Sequence, residues 1–202
     1  MLRLFGLFLL LAVPVLAQGR PEAGGTEYQI WTGGGHSVSG GVSNTGVFNV
    51  GLRYGWVLTN PHGPGFLKGN FEYAVDAVPL FLVFQPANTA YGLGINPLGL
   101  KWDFVPHGRL LPYAELGGGV LFTTHDVPTG TSSVNFTPGA ALGMHILGSE
   151  INWNLELRYL HISNAGLASF NPGINTIQVR LGIGAFATGK KTRPRHSQRN
   201  RR

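Results

Sequence analysis

Cysteine is absent from this chain. That excludes a disulfide framework and a thiolate metal site, so the fold rests on a packed core or on a membrane. Charge is scarce: Asp, Glu, Lys and Arg together make up 12% of the residues. Long apolar runs are missing too. Beyond the first residues, no stretch approaches the roughly 18 apolar residues of a spanning helix. Helical periodicity is hard to find anywhere. His36, His62, His107, His125 and His145 are scattered, with no His-Glu-x-x-His spacing, so no metal is expected.

What is present begins with Arg3, an apolar run over 4–16, and Val15-Leu16-Ala17. This is the layout of a secretory signal cut near Gln18, too short and wrongly flanked for a membrane anchor. Residues 1–17 are therefore expected to be a signal peptide and residues 18–187 a single domain. The net charge of +6 hides an uneven distribution. Lys190, Lys191, Arg193, Arg195, Arg199, Arg201 and Arg202 crowd the end of the chain, and the body before them is slightly acidic. Residues 188–202 read as a basic, disordered tail, solvated or in contact with anionic lipid. No aromatic-interleaved basic surface accompanies it, so nucleic acid is not an expected partner.

Alternation with period two recurs along the body. Over 48–59 one face carries Phe48, Val50, Leu52, Tyr54, Trp56 and Leu58, and the other Asn49, Gly51, Arg53 and Gly55. The same two-sided pattern runs over 70–77, 98–104, 151–163 and 175–185. Weaker runs lie at 27–34, 110–124 and 134–147, which brings the expected strands to eight. Several are long enough to cross a bilayer at a tilt. Connections at 60–64, 106–109 and 148–149 look short, and those at 35–43, 85–90, 125–132 and 164–174 longer. Gly33-Gly34-Gly35-His36-Ser37 reads as a glycine-rich loop, since it lacks the strand–helix setting of a phosphate cradle.

Polar faces of both charge signs suit the filled lumen of a small barrel, while Trp56, Trp102 and Trp153 on the apolar faces suit an interfacial girdle. The expected fold is all-β, an eight-stranded antiparallel transmembrane β-barrel of the outer membrane. A soluble barrel with a lipid in its lumen would reverse the two faces and is the competing architecture. Phe186, the aromatic residue nearest the end of the last strand, falls on the inward row, so an outward position would need a bulge.

The odd-numbered apolar row of 151–163 ends in His161 and Ser163, two polar residues on a face meant for hydrocarbon. Residues i and i+2 of a strand share a face. Asn175 opens the next strand at the same height and on its apolar row. The three converge on the outer wall near the outer rim. There Ser163 is a candidate nucleophile, His161 its general base, and Asn175 the group that orients the imidazole. Asn164 and Asn171, in the connecting segment, are candidates for hydrogen bonds to an oxyanion or substrate. A substrate that reaches this wall laterally would be amphiphilic. A plain interfacial strand end followed by an Asn-Pro-Gly turn is the structural alternative.

The segment Arg158-Tyr-Leu-His161-Ile-Ser163-Asn164-Ala-Gly166, with Asn171-Pro-Gly173-Ile-Asn175 after it, resembles the signature of the outer-membrane lipid A 3-O-deacylase (PagL) family. The resemblance implies serine-esterase chemistry that releases the 3-linked acyl chain of lipid A, without a cofactor. Carried over by position, it makes His161 the base, Ser163 the nucleophile, and Asn164 and Asn171 oxyanion-side groups. The family places a glutamate where this chain has Asn175. A carboxylate both orients the imidazole and stabilises the imidazolium, whereas an amide orients it and stabilises it less. Asp126, in an outer loop, is the one acid that could approach in its place. The implied partner is lipid A, lipopolysaccharide or another outer-leaflet lipid, and an apolar wall is compatible with a homodimer. A structural or adhesive barrel with a weak or inactive site, on account of Asn175, is the alternative function.

Overall fold

The computed structural model describes residues 17–188. The expected signal segment over 1–17 lies outside the described residues apart from Ala17, and the basic tail over 188–202 apart from residue 188. Ten strands follow in order: β1 (Ala17–Gln18), β2 (Thr26–Val38), β3 (Gly46–Val57), β4 (Gly69–Phe84), β5 (Thr89–Phe104), β6 (Leu110–Thr123), β7 (Val134–Phe136), β8 (Gly139–Ile146), β9 (Asn152–Ile162) and β10 (Ile174–Ala187). Each of β2–β6, β8 and β9 pairs antiparallel with the next of these long strands, and β10 pairs with both β9 and β2. The result is a closed eight-stranded barrel with no open edge. The two short strands are accessories: β1 extends the end of β10, and β7 pairs with β6.

Closure matters because a strand edge in hydrocarbon would leave backbone groups without partners. Two of the three prolines inside strands are placed accordingly, the third being Pro112 near the start of β6. Pro79 lies where the β4–β5 register shifts between Val78 and Phe81, and Pro97 where the β5–β6 register shifts between Ile95 and Leu98. These are the irregularities at which a missing N–H is tolerated.

The two faces separate as the alternation requires. Phe48, Leu52, Trp56, Leu155, Leu157 and Val179 point outward and are exposed, while Asn49, Arg53, Glu72, Lys101, Glu156 and Arg180 are buried inside. An apolar exterior around a charged, filled interior is the distribution of a membrane barrel, and it excludes the soluble, lipid-filled alternative. Trp56, Trp102 and Trp153 sit outward at the end that carries the described chain termini. Tyr28, Tyr54, Trp56 and Tyr73 continue that belt, with ring centroids 4.5–5.7 Å apart from one to the next: the first two pairs meet edge to face and Trp56 stacks on Tyr73. Phe48, Phe84, Tyr91, Phe122 and Phe136 form the outward aromatic belt at the opposite end.

The lumen is stacked in tiers. Arg53 forms bidentate pairs with Asp76 (2.8 and 3.0 Å) and Glu115 (2.6 and 3.0 Å). Arg158 joins Glu115 to Glu156, both at 2.6 Å. Nearer the terminal end, Lys101 lies among Glu27, Glu72 and Asp103 at 2.8–3.4 Å. Toward the other end the filling is apolar, with Val78, Phe81, Val83, Leu121, Leu160, Ile162 and Ile174 in one cluster. That cluster backs the wall carrying His161 and Asn175.

Three sequence expectations need correction, and the inward placement of Phe186 does not. Gly33–Ser37 is not a loop but part of β2. Gly35 lies so close to β10 that a Cβ there would stand 2.0 Å from the Ile177 carbonyl oxygen, which explains the glycine without any loop. The run over 134–147 is interrupted at Thr137-Pro138 and yields β7 and β8. The connection 58–68 is long and contains a 3-10 turn at Gly65–Leu67, whereas 85–88 is a tight hairpin. Phe186 needs no bulge: it stays inward in regular register with Glu27 and packs with Val57, Leu111 and Leu147.

Candidate active site

Pairing of β9 with β10 sets His161 directly opposite Asn175. Both belong to the outward rows, and the side chains meet: His161 Nδ1 lies 2.6 Å from Asn175 Oδ1. The same oxygen accepts a hydrogen bond from the Tyr159 hydroxyl at 2.7 Å, and Asn175 Nδ2 donates to the Ser39 carbonyl at 3.3 Å. A carbonyl can only accept, so the Ser39 contact assigns Nδ2 to its side of the amide and Oδ1 to the imidazole side. His161 Nδ1 must then carry a proton. In the neutral imidazole this tautomer leaves the lone pair on Nε2, which has no protein partner among the described residues.

Ser163 follows two residues later on the same row. It lies beyond the last residue of β9 but keeps its strand geometry through an isolated antiparallel bridge to Phe136. Its side chain, 8% exposed with the rest of the residue, makes no hydrogen bond among the described residues. No hydrogen bond joins Ser163 Oγ to His161 here; nucleophile–base contacts commonly tighten only when substrate is bound. Loops cover the wall at this height. Gly173, at φ +66°, approaches the imidazole so closely that a Cβ would stand 2.7 Å from His161 Cε1. Val42 donates its backbone N–H to the Gly173 carbonyl at 2.9 Å and ties loop 39–45 over the start of β10.

Asn164 is fully buried and shapes the loop that follows. Its Nδ2 donates to the Phe170 carbonyl at 3.2 Å, its Oδ1 accepts from the Gly166 N–H at 2.9 Å, and its N–H donates to Asn171 Oδ1 at 3.1 Å. Asn171 is exposed, and its Nδ2 makes no hydrogen bond among the described residues. The chain turns sharply here: Ala165 and Gly166 both adopt positive φ, 51° and 85°. A left-handed alanine is uncommon and strained, and it stands two residues after Ser163. Asp126 does not join the group. It is exposed in loop 124–133, where its backbone carbonyl accepts from Gln85 Nε2, and its carboxylate has no contact with His161.

An apolar groove of about 510 Å³ runs along the outer wall from this site. Tyr159 and Ile177, opposite one another one step below the His161–Asn175 row, form its near end, and Trp102 its far end. Ala114 and Ala140 keep the floor low between Leu100, Leu116, Leu142 and Leu157. The volume falls within the roughly 300–1,000 Å³ of ligand clefts. Of the site residues named from sequence, His161, Ser163 and Asn175 share one patch of wall, and Asn164 and Asn171 shape its adjoining loop. Sequence reasoning missed Tyr159, Ser39 and Gly173. Only Tyr159 carried a signal: a phenol on a lipid-facing row needs a partner for its hydroxyl.

Fold and site together define a class: a closed transmembrane barrel of the outer membrane with a polar, hydrogen-bonded constellation on its outer wall. The family model for lipid A 3-O-deacylase (PagL) matches residues 46–184, and this chain belongs to that family. Among solved structures, the crystal structure of the outer membrane enzyme PagL superposes with a TM-score of 0.60 at 18% identity, over 76% of this chain and 97% of that one. The crystal structure of Neisserial surface protein A (NspA) superposes with a TM-score of 0.50 at 14% identity, over 82% of this chain and 99% of that one. At such identities both likenesses speak to the fold. No curated protein matches the chain in sequence.

Proposed function

We propose that this protein is an outer-membrane serine esterase that removes the 3-O-linked acyl chain from lipid A or a related glycolipid. The observation that carries this is the His161–Asn175 hydrogen bond of 2.6 Å on the lipid-facing wall, with Ser163 two residues along the same row. Family membership supplies the substrate class. A lipid in the outer leaflet would bring its ester to this height with its acyl chain along the groove below.

Ser163 Oγ attacks the ester carbonyl while His161 Nε2 takes its proton. The oxyanion of the tetrahedral intermediate is met by Asn171 Nδ2, the free amide donor of the loop. Collapse breaks the bond to the sugar oxygen, which leaves with the proton from Nε2. Water then attacks the acyl-enzyme, gives a proton to the same nitrogen, and releases a fatty acid and Ser163 Oγ–H. Asn175 holds the imidazole throughout. As a neutral amide it stabilises the imidazolium less than a carboxylate, so turnover slower than that of an enzyme with an acid at this position is expected.

Expression in a Gram-negative host, with mass spectrometry of the extracted lipid A, tests the reading. The expected result is loss of one hydroxyacyl chain with the native protein and intact lipid A with Ser163→Ala. Unchanged lipid A alongside folded native protein would favour the second reading, a surface barrel without turnover. The amide at position 175 is the observation on that side.

A further inference from the structure

An amide at position 175 has a wrong way round, and a carboxylate does not. With Oδ1 toward His161, the imidazole carries its proton on Nδ1 and keeps Nε2 free to act as base. With the amide rotated by half a turn, Nδ2 would donate to Nδ1, the ring proton would move to Nε2, and the base would be lost. The two oxygens of an acid are equivalent, so this failure cannot arise there. An enzyme that places asparagine at this position needs something to hold the amide.

Two neighbouring groups do so. The Ser39 carbonyl, 3.3 Å from Nδ2, would face Oδ1 lone pair to lone pair in the rotated state. The Tyr159 hydroxyl donates to Oδ1 at 2.7 Å. In the rotated state it would have to accept from Nδ2 and turn its own hydrogen toward the hydrocarbon side of the wall, where no acceptor waits. Tyr159 lies directly below His161 on the outward row and is 40% exposed on that side. Gly40, at φ +99°, lets the Ser39 carbonyl come this close, since a Cβ there would stand 2.8 Å from Asn175 Nδ2.

We infer that Tyr159 is a positioning residue: its phenol, together with the Ser39 carbonyl, locks the Asn175 amide so that His161 keeps the tautomer a general base requires. This rests on the reading of His161 as the base of an esterase, and the first arm of the test is independent of turnover. In the detergent-solubilised full chain, 15N NMR of the His161 ring nitrogens should report Nδ1 protonated and Nε2 bare. Tyr159→Phe should introduce a second population with the proton on Nε2. An unchanged tautomer in Tyr159→Phe overturns the inference whether or not the protein hydrolyses lipid.

The second arm is kinetic. Tyr159→Phe should lower kcat about tenfold with KM changed less than about twofold. In the Asn175→Asp background, where the side chain has no wrong face, the same replacement should cost less than about threefold. Equal losses in the two backgrounds would mean that the phenol packs rather than orients, and would overturn the inference. Absence of hydrolysis in the native protein, with the tautomer shift present, would count against the esterase reading alone.

Discussion

Ser163 and Phe136 exchange both of their backbone hydrogen bonds: Phe136 donates to the Ser163 carbonyl at 2.7 Å, and Ser163 donates back at 3.1 Å. The β9 ladder ends one residue earlier, so this pair continues the strand geometry to the candidate nucleophile. Next to it, the His161 N–H donates to the Pro138 carbonyl at 2.9 Å. The short strand β7, pinned to β6, is thus a shelf beneath the site rather than a remnant of a longer strand.

The shelf can be broken without opening the barrel. Phe136→Pro removes the N–H that holds the Ser163 carbonyl. Ester hydrolysis should fall at least about tenfold, while the protein keeps the heat-sensitive gel mobility of a folded barrel. Full activity in a folded Phe136→Pro variant would mean that the bridge does not position Ser163.

The ion pairs in the lumen predict a large stability effect from a conservative-sized change. Arg53 is 4% exposed and satisfies Asp76 and Glu115 together. Arg53→Met keeps much of the volume but leaves two carboxylates facing a smaller share of positive charge. Removing one partner of a buried pair costs about 3–5 kcal/mol. Urea unfolding in lipid vesicles should show a loss of that order, and a shift below about 1 kcal/mol would contradict the tiered ionic core.

The outer wall predicts the reverse sensitivity. Leu157 lies on the outward row midway between Trp153 and His161 and is 54% exposed. Leu157→Arg would place a guanidinium near the middle of the hydrocarbon, at a cost of about 2–4 kcal/mol. The same unfolding measurement checks it. A neutral effect would mean that this row does not face lipid.

The barrel could be read from the sequence because its two faces differ so sharply. Arg53 between Leu52 and Tyr54, or Glu156 between Leu155 and Leu157, admits only a strand with one wet and one greasy side. The opposition of His161 and Asn175 was legible for the same reason, since period two and a single turn fix which residues share a row. What escaped has local causes. Gly33–Ser37 resembled a loop because its glycines leave room for β10 and inward side chains such as that of Arg180, and such crowding cannot be seen along one strand. The split of 134–147 hinges on Pro138, whose effect depends on which carbonyls lie nearby. Ser39 contributes a backbone oxygen, which leaves no mark in sequence, and Tyr159 falls on the odd-numbered apolar row although its hydroxyl bonds Asn175 Oδ1.

Labelling by a fluorophosphonate probe in detergent, read by peptide mass spectrometry, tests the esterase assignment most directly. The account predicts a single adduct on Ser163 in the native chain, and its loss in His161→Ala, because a serine hydroxyl without its base is a weak nucleophile. No adduct on folded native protein, or labelling undiminished by His161→Ala, would contradict it.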